Sequence, residues 1–374
     1  MAGLYIHVPF CAKRCLYCDF YSQTNTKYKE DYIKAVVHEL HLRKNYLNGD
    51  LVETIYFGGG TPSQLQANDF KQIFNTIANL YDISSCKEIT LEANPDDISA
   101  EYLDILKSFP FNRISLGVQS FDDETLHFLN RRHNRKQAIK AVHLCQDTGF
   151  HNLSIDLMYG LPKQTNKTWE TNLTEALQLK IPHISAYHLT YEKGTALYQM
   201  MQKGVISPVD EEISIQLFHT LIDKLTEADY IHYEISNFCK QGSFAQHNTA
   251  YWANQKYIGI GPAAHSYDLQ SRQWNTASIT DYIQKVMNGQ TFFEKETLDP
   301  KAQYNEYVLT RLRTMWGIDL DDLLKRFDND AYQYFLKQAE TYIKKKWLKK
   351  NDNTIKLSRQ GIFLSDNILL DLIK

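Results

Sequence analysis

The sequence lacks the features that mark membrane, secreted and nucleic-acid-binding proteins. No run of about 18 apolar residues, the minimum for a membrane helix, occurs in the 374 residues, and no basic segment followed by an apolar core opens the chain. Six cysteines are too few for a disulfide framework in a chain of this length. The net charge of −3 provides no general attraction to nucleic acids or anionic membranes. These absences predict a cytoplasmic protein in a reducing compartment, with no nucleic-acid partner and no transmembrane segment.

The composition and the length of the chain indicate a large, well-packed fold. Hydrophobic residues make up 43% of the chain and charged residues 23%, which is ordinary for a globular protein with a sizeable core. A length of 374 residues predicts either two domains or one large barrel with an appendage. We find no internal repeat and no low-complexity segment.

Short apolar runs alternate with longer amphipathic stretches over the first 230 residues or so. The apolar runs are residues 4–8, 54–57, 89–92, 114–118, 153–158 and 184–189. The stretches between them, such as 28–47 and 212–228, repeat apolar residues at helical spacing. Strands separated by helices of this length indicate right-handed βαβ units. The sequence therefore predicts an α/β fold, a partial TIM-like barrel of about six parallel strands, although periodicity alone does not separate a barrel from a doubly wound sheet.

The alternation stops after about residue 290. Residues 301–313, 319–327 and 329–345 have helical patterns, and a turn-prone Asn-Asp-Asn at 351–353 separates two short apolar runs. These patterns predict a small, mainly helical domain with a winged-helix-like hairpin. We divide the chain into a barrel at 1–235, a connecting segment at 236–290 and a C-terminal domain at 291–374.

Three cysteines stand close together near the start of the chain. Cys11, Cys15 and Cys18 form a C-x3-C-x2-C pattern directly after the first predicted strand. A structural zinc site would need four ligands, and no partner Cys or His stands at an obvious spacing downstream. Thiolates also suit iron–sulfur clusters, which normally take four cysteines, so three would leave one iron open to a ligand that is not protein. Unrelated structural cysteines, or a disulfide and a spare thiol, are the alternative.

This pattern resembles that of the radical S-adenosylmethionine enzymes. The resemblance implies a [4Fe-4S] cluster bound by Cys11, Cys15 and Cys18 as metal ligands. It further implies that the open iron takes the amino and carboxylate groups of S-adenosylmethionine, and that one electron from the cluster cleaves the sulfonium.

Further polar and glycine residues fall where the predicted strands end. They are Gly58 to Gly60, Glu92, Gln119 and Asp156. In a parallel barrel these ends meet at one mouth, where active sites lie. A Gly-rich turn there would let the backbone approach a ligand, although a tight structural turn is its usual meaning. Carboxylates in apolar strands need partners, either a ligand's ammonium or hydroxyl groups or an arginine such as Arg113 or Arg131.

Four segments narrow the resemblance to the group of oxygen-independent coproporphyrinogen III oxidases. They are YIHVPFC at 5–11, FGGGTPS at 57–63, GVQSF at 117–121 and DLMYGLP at 156–162. The resemblance implies that Tyr5, Gly59 and Glu92 touch the cluster-bound S-adenosylmethionine. It also implies a second position for this cofactor, with the cofactor-binding residues Tyr17, Gly60, Thr61, Gln119, Arg131, Asp156 and Thr190.

Other features depart from the oxidase pattern. Phe20 stands where the oxidases continue their cysteine run, and the first strand begins near residue 4, which leaves no room for their longer N-terminal lid. The segment HNTAYW at 247–252 is similar to the H-N-x-x-Y-W signature of the HemW-type haem chaperones. His247 is therefore a candidate haem ligand, and hydrogen bonding within an aromatic cluster is the alternative. His7 and His265 are further candidates, with packing as their main interpretation.

The resemblance implies a haem chaperone that binds haem and transfers it to acceptor haem proteins, including membrane-bound respiratory enzymes. It would carry a [4Fe-4S] cluster and S-adenosylmethionine on a scaffold capable of cleaving that cofactor. The alternative is a coproporphyrinogen III oxidase that decarboxylates porphyrinogen propionates by radical chemistry, an activity that Phe20 and the missing lid disfavour. A simple iron–sulfur electron carrier would explain the cysteines but not the carboxylates at the strand ends. No catalytic residue is assigned.

Overall fold

A computed structural model describes residues 2–374. Its strands are β1 (Ala2–Val8), β2 (Val52–Gly59), β3 (Glu88–Ala93), β4 (Arg113–Gln119), β5 (Leu153–Tyr159), β6 (His183–His188), β7 (Ile231–Glu234), β8 (Asn237–Cys239), β9 (Lys256–Ile260), β10 (His265–Tyr267), β11 (Ser271–Asn275), β12 (Phe293–Thr297), β13 (Ile318–Asp319), β14 (Leu348–Asn351) and β15 (Thr354–Leu357). Its helices are α1 (Lys29–Leu42), α2 (Ala67–Leu80), α3 (Ala100–Lys107), α4 (Asp123–Phe128), α5 (Arg135–Asp147), α6 (Asn166–Gln178), α7 (Ala196–Gln202), α8 (Glu211–Glu227), α9 (Gln246–Trp252), α10 (Ile279–Met287), α11 (Pro300–Leu312), α12 (Leu320–Arg326), α13 (Asn329–Lys344), α14 (Arg359–Phe363) and α15 (Ser365–Leu372).

One twelve-stranded sheet dominates the molecule. Its order is β12-β11-β10-β9-β1-β2-β3-β4-β5-β6-β8-β7. Strands β1 to β6 run parallel to one another, and β6 pairs antiparallel with β8. From β1 to β6 consecutive strands lie side by side, so within these six strands the order does not reverse as it does in a doubly wound sheet. The two outermost strands, β12 and β7, are not paired with each other in residues 2–374, which leaves the barrel open. The prediction of a partial α/β barrel is confirmed.

The parallel strands are buried on both faces, as expected where helices cover the outside and side chains fill the inside. In β1 every residue is buried except Tyr5, which is half-buried and faces the interior of the barrel beside Tyr56. The apolar runs predicted from sequence match β1 to β6, except that Leu189 lies just beyond β6. The helix predicted at 28–47 is shorter: it spans Lys29–Leu42, and the turns that follow it end in left-handed backbone at Asn48 and Gly49.

The segment 236–290, which we expected to connect two domains, extends the large sheet. Its strand β9 pairs in parallel with β1, and β10 and β11 continue from β9 as antiparallel neighbours. The proposed domain boundaries themselves remain predictions. This extension matters for function because it brings residues 251–275 beside the first strand and the cysteine loop.

The C-terminal part has its own apolar core, built by α11 to α13, α15 and a three-stranded sheet β13-β15-β14. The hairpin of β14 and β15 turns at Asn351 to Thr354, where the sequence predicted it. Helices followed by a hairpin confirm the winged-helix-like prediction. No helix in residues 2–374 has the length and apolar character needed to cross a bilayer.

A buried ion pair fastens α1 to the sheet extension. Arg43 donates to Glu39 at 3.1 Å and also to the backbone carbonyl of Gly259 at 2.9 Å. Glu39 is fully buried and accepts hydrogen bonds from the Tyr282 hydroxyl and the Asn275 amide. Because each charge is fully partnered, the pair tolerates burial.

Replacing Arg43 with alanine should lower the free energy of unfolding by about 3–5 kcal/mol, because it strands a buried carboxylate. The matched control is Lys34→Ala, which removes an exposed helical ion pair with Asp31 on the same helix and should cost about 0.5 kcal/mol or less. Urea unfolding of both variants measures the difference. Equal midpoints for the two variants would show that the buried network does not hold the sheet extension in place.

Candidate functional site

The carboxyl ends of β1 to β6 form one mouth, and most predicted site residues lie there. The cysteine loop follows β1, the glycine run closes β2, and Glu92 and Gln119 lie at the ends of β3 and β4. Asp156 lies in the middle of β5, and Arg131 follows α4. Thr190 is exposed beyond β6, with no side-chain contact in the described structure that joins it to the others. The structure therefore brings most of these residues to one mouth, with Thr190 at its margin.

The cysteine loop is closed at its base by a short backbone pairing. Cys11 donates its backbone N–H to Gln23 at 2.9 Å, and Gln23 donates to Pro9 at 2.8 Å. Leu16 is anchored at the centre of the loop, since its N–H donates to Leu129 and its carbonyl accepts from Leu197. These hydrogen bonds hold the loop against the chain at Leu129 and at Leu197, and so keep its thiols near the strand ends.

The three thiols are free and receive hydrogen bonds. None of the six cysteines is in a disulfide, which removes the disulfide alternative for this structure. Thr61 donates its hydroxyl to the Cys11 sulfur at 3.3 Å, and Arg131 donates to the Cys15 sulfur at 3.2 Å. Burial, with smaller contributions from the nearby Cys15 and Cys11, raises the pKa of Cys18 to about 11. Donors aimed at sulfur would stabilise thiolates.

The donor set fits a cubane cluster better than a single ion. Three soft thiols with no carboxylate among them match iron–sulfur ligation. Residues 2–374 contain no group of three or more His, Cys, Asp or Glu side chains close enough to hold one metal ion. The described thiols are thus not arranged around a single ion, whereas the thiolates of a cubane each bind a different iron.

Arg131 links the two sides of the mouth. Its guanidinium donates to the Cys15 sulfur, the Asn94 side chain and the Gly117 carbonyl, while its Nε has no hydrogen-bond partner in residues 2–374. Asn94 donates in turn to Thr61 at 3.3 Å, so a chain of hydrogen bonds connects the two cysteine sulfurs. Sequence reasoning missed Asn94, although it stands two residues after Glu92 and so points to the same face of an extended segment.

The glycine run has a structural requirement of its own. Gly59 has a φ of +104°, and a Cβ at this position would lie 2.6 Å from the His7 ring. A Cβ on Gly60 would lie 2.8 Å from the Val8 carbonyl. Both positions therefore need glycine because β1 approaches so closely, whether or not a ligand binds.

Glu92 and Asp156 are carboxyl groups inside the barrel without a salt bridge in residues 2–374. Glu92 accepts from the Tyr56 hydroxyl at 2.6 Å and the Gly59 N–H at 3.2 Å. The two arginines named above as alternative partners of these carboxyl groups have other contacts: Arg113 lies by Glu88, and Arg131 by Cys15. Burial raises the pKa of Glu92 to about 7 and that of Asp156 to about 6. This pair can accept a cation or hydroxyl groups from a ligand.

Gln119 and Tyr17 complete the inner surface. Gln119 is buried at the end of β4 with a φ of +65°, an unfavourable backbone that commonly marks a functional position. Burial raises the pKa of Tyr17, which lies half-buried between Cys15 and Cys18 in the loop.

His247 lies below the mouth, in the first turn of α9. Its Nδ1 shares a hydrogen bond with the Thr54 hydroxyl at 2.8 Å, and its Nε2 shares one with the Tyr251 hydroxyl at 2.7 Å. The ring is 1% exposed and stacks on Tyr56, and burial lowers its pKa to about 3. Both nitrogens are occupied, so the described contacts match the alternative of hydrogen bonding within an aromatic cluster.

A cleft of about 560 Å³ opens beside the mouth. It lies between Tyr5, the end of the cysteine loop at Phe20, and the extension strands β9 to β11. Its volume is within the usual range for a small-molecule site.

An open parallel α/β barrel with a three-thiol loop at its mouth is the architecture of a radical S-adenosylmethionine protein. The family model "Radical SAM superfamily" matches residues 5–176, and the model "HemN C-terminal domain" matches residues 298–364. The chain is 33% identical to "Heme chaperone HemW" of Bacillus subtilis over 372 residues, 98% of each chain. It is 32% identical to the protein of the same name from Lactococcus lactis over 365 residues, covering 97% of this chain and 95% of the relative. The chain belongs to the family of HemW-type haem chaperones.

A solved structure supports the fold. "Coproporphyrinogen III oxidase (HemN) from Escherichia coli is a Radical SAM enzyme" describes a structure that superimposes with a TM-score of 0.86 over 100% of this chain and 90% of that chain. The sequence identity is 22%, so the likeness concerns the fold alone.

Proposed function

We propose that the protein binds haem and passes it to acceptor haem proteins in the cytoplasm or at the membrane, while it carries a [4Fe-4S] cluster and S-adenosylmethionine. The observation that carries the proposal is the match to the HemW haem chaperones along nearly the whole of both chains. The free cysteines agree with a reducing compartment.

In this proposal the mouth holds the cluster and its cofactor. Cys11, Cys15 and Cys18 would bind three irons, and Arg131 would offset the negative charge beside Cys15. When bound, the cluster would supply one electron for reductive cleavage of the sulfonium. Glu92, Asp156 and the glycine run would bind and orient S-adenosylmethionine, with Glu92 held by Tyr56. Tyr5 faces the same interior of the barrel and would exclude water from the opposite side of the bound S-adenosylmethionine.

The decisive experiment divides one anaerobically reconstituted sample. One half is titrated with haem and then mixed with a haem-free acceptor protein, and the other receives coproporphyrinogen III, S-adenosylmethionine and a reductant. We expect one haem per chain, transfer to the acceptor, and no protoporphyrinogen. Repeated turnover to protoporphyrinogen would instead identify an oxidase, and a failure to bind haem would refute the chaperone proposal.

A further inference from the structure

The cleft beside the mouth is lined by aromatic rings from distant parts of the chain. Tyr251, Tyr257 and Tyr267 come from α9, β9 and β10, and Tyr5 comes from β1. Phe20 stands at the rim with 63% of its surface exposed, two residues after Cys18. An exposed phenylalanine beside tyrosine faces is suited to cover a flat apolar molecule.

Only two histidines line the cleft in residues 2–374, and they differ in availability. His7 is 4% exposed, and its ring nitrogens pair with the Tyr5 hydroxyl at 3.1 Å and the Tyr21 carbonyl at 2.9 Å. His265, on β10, is exposed, and its ring has no hydrogen bond in the described structure. Trp274, opposite it on β11, stacks at 6.4 Å between ring centroids. His265 is therefore the imidazole that can reach a ligand in the cleft.

The same wall carries a cation that could meet a carboxylate. Arg272 on β11 lies opposite Tyr267 and pairs with Glu306 of α11. Arg272 and Glu306 both line the cleft, and the Arg272 side chain is 41% exposed, so guanidinium N–H groups remain for a ligand there. Arginine forms strong, paired hydrogen bonds with carboxylates.

We propose that this cleft is the haem site, with His265 as the axial ligand of the iron and Arg272 as the partner of a propionate. The inference rests on the proposed haem-binding function and adds the location and residues. Flat aromatic walls, one available imidazole and one available guanidinium match the three parts of haem, namely its macrocycle, its metal and its carboxylates.

The location assigns a positioning role to the H-N-x-x-Y-W segment. His247 and Tyr251 are four residues apart on α9 and so share a face. The buried His247 holds the Tyr251 hydroxyl at 2.7 Å, and Tyr251 forms part of the cleft wall. In this arrangement His247 acts on haem through Tyr251 and never touches the iron.

The test compares haem titrations of the reconstituted wild-type protein, His265→Ala and His151→Ala. His151 is an exposed histidine before β5, outside the cleft, and serves as the matched control. We expect His265→Ala to bind haem at least about tenfold more weakly and to lose the imidazole-bound signature in electron paramagnetic resonance, while His151→Ala matches the wild type. Iron-free protoporphyrin IX should bind wild type and His265→Ala equally, which also shows that the variant is folded.

A second comparison tests the carboxylate contact. Wild type should prefer haem to its dimethyl ester by about tenfold, and Arg272→Gln should lose that preference. If His265→Ala binds haem with wild-type affinity and spectrum, the ligand assignment is wrong although haem binding itself stands. If the wild type binds no haem, the proposed function and this inference both fail.

Discussion

Replacing Cys11 with alanine is expected to abolish cluster assembly and, with it, the cleavage of S-adenosylmethionine. A cubane bound by two thiolates has too few protein ligands to persist, so we expect at least about a 100-fold loss of cluster affinity, which exceeds typical effects of residues behind the ligands. Iron and sulfide content and the visible absorbance of the reconstituted variant measure this loss.

The control is Cys86→Ala, which removes a half-buried thiol that lies outside the mouth and hydrogen-bonds only weakly to the Glu88 carbonyl. It should reconstitute like the wild type. A Cys11→Ala protein that keeps both its cluster and cofactor cleavage would show that the three-thiol loop does not hold the cluster.

Glu92→Gln should have opposite effects on ligand binding and on stability. The glutamine keeps the shape but cannot neutralise a ligand's ammonium, so S-adenosylmethionine affinity should fall by about 10- to 100-fold. The ligand-free variant should be more stable than the wild type at pH 8, by about 1–3 kcal/mol.

The sign follows from the raised pKa. Between about pH 4.5, where the unfolded Glu92 ionises, and about pH 7, where the folded one does, the folded state binds more protons. The contribution of Glu92 to the free energy of unfolding therefore falls as the pH rises through this range and is lowest above it. The free energy of unfolding of Glu92→Gln should lack this decline with rising pH.

Thermal unfolding of the ligand-free proteins across pH 4.5–8 and calorimetric titration with S-adenosylmethionine measure the two effects. The control is Glu30→Gln, which changes an exposed glutamate on α1. If Glu92→Gln binds the cofactor like the wild type, Glu92 is a structural partner of Tyr56 and Gly59 alone.

The local sequence is enough to place several mouth residues near one another because each lies in or directly after one of the parallel strands. In a parallel barrel, the end of every strand points to the same edge, so the positions of Cys11, Gly59, Glu92 and Asp156 along the chain imply their proximity. The partners of these residues were harder to predict. Arg131 was expected to bind a cofactor or a carboxylate, and in the structure it donates to the Cys15 sulfur.

The sequence by itself determined the strand–helix alternation, the three-thiol loop and the strand-end carboxylates, because each depends on residues near one another in the chain. Only the tertiary structure decided that β9 pairs with β1 and so carries Tyr257 and His265 to the cysteine loop. It also decided that both nitrogens of His247 are occupied. Whether an imidazole nitrogen is free or bonded can depend on a residue far away in the chain: Thr54, the partner of His247 Nδ1, is 193 positions away, and no local pattern records such a contact.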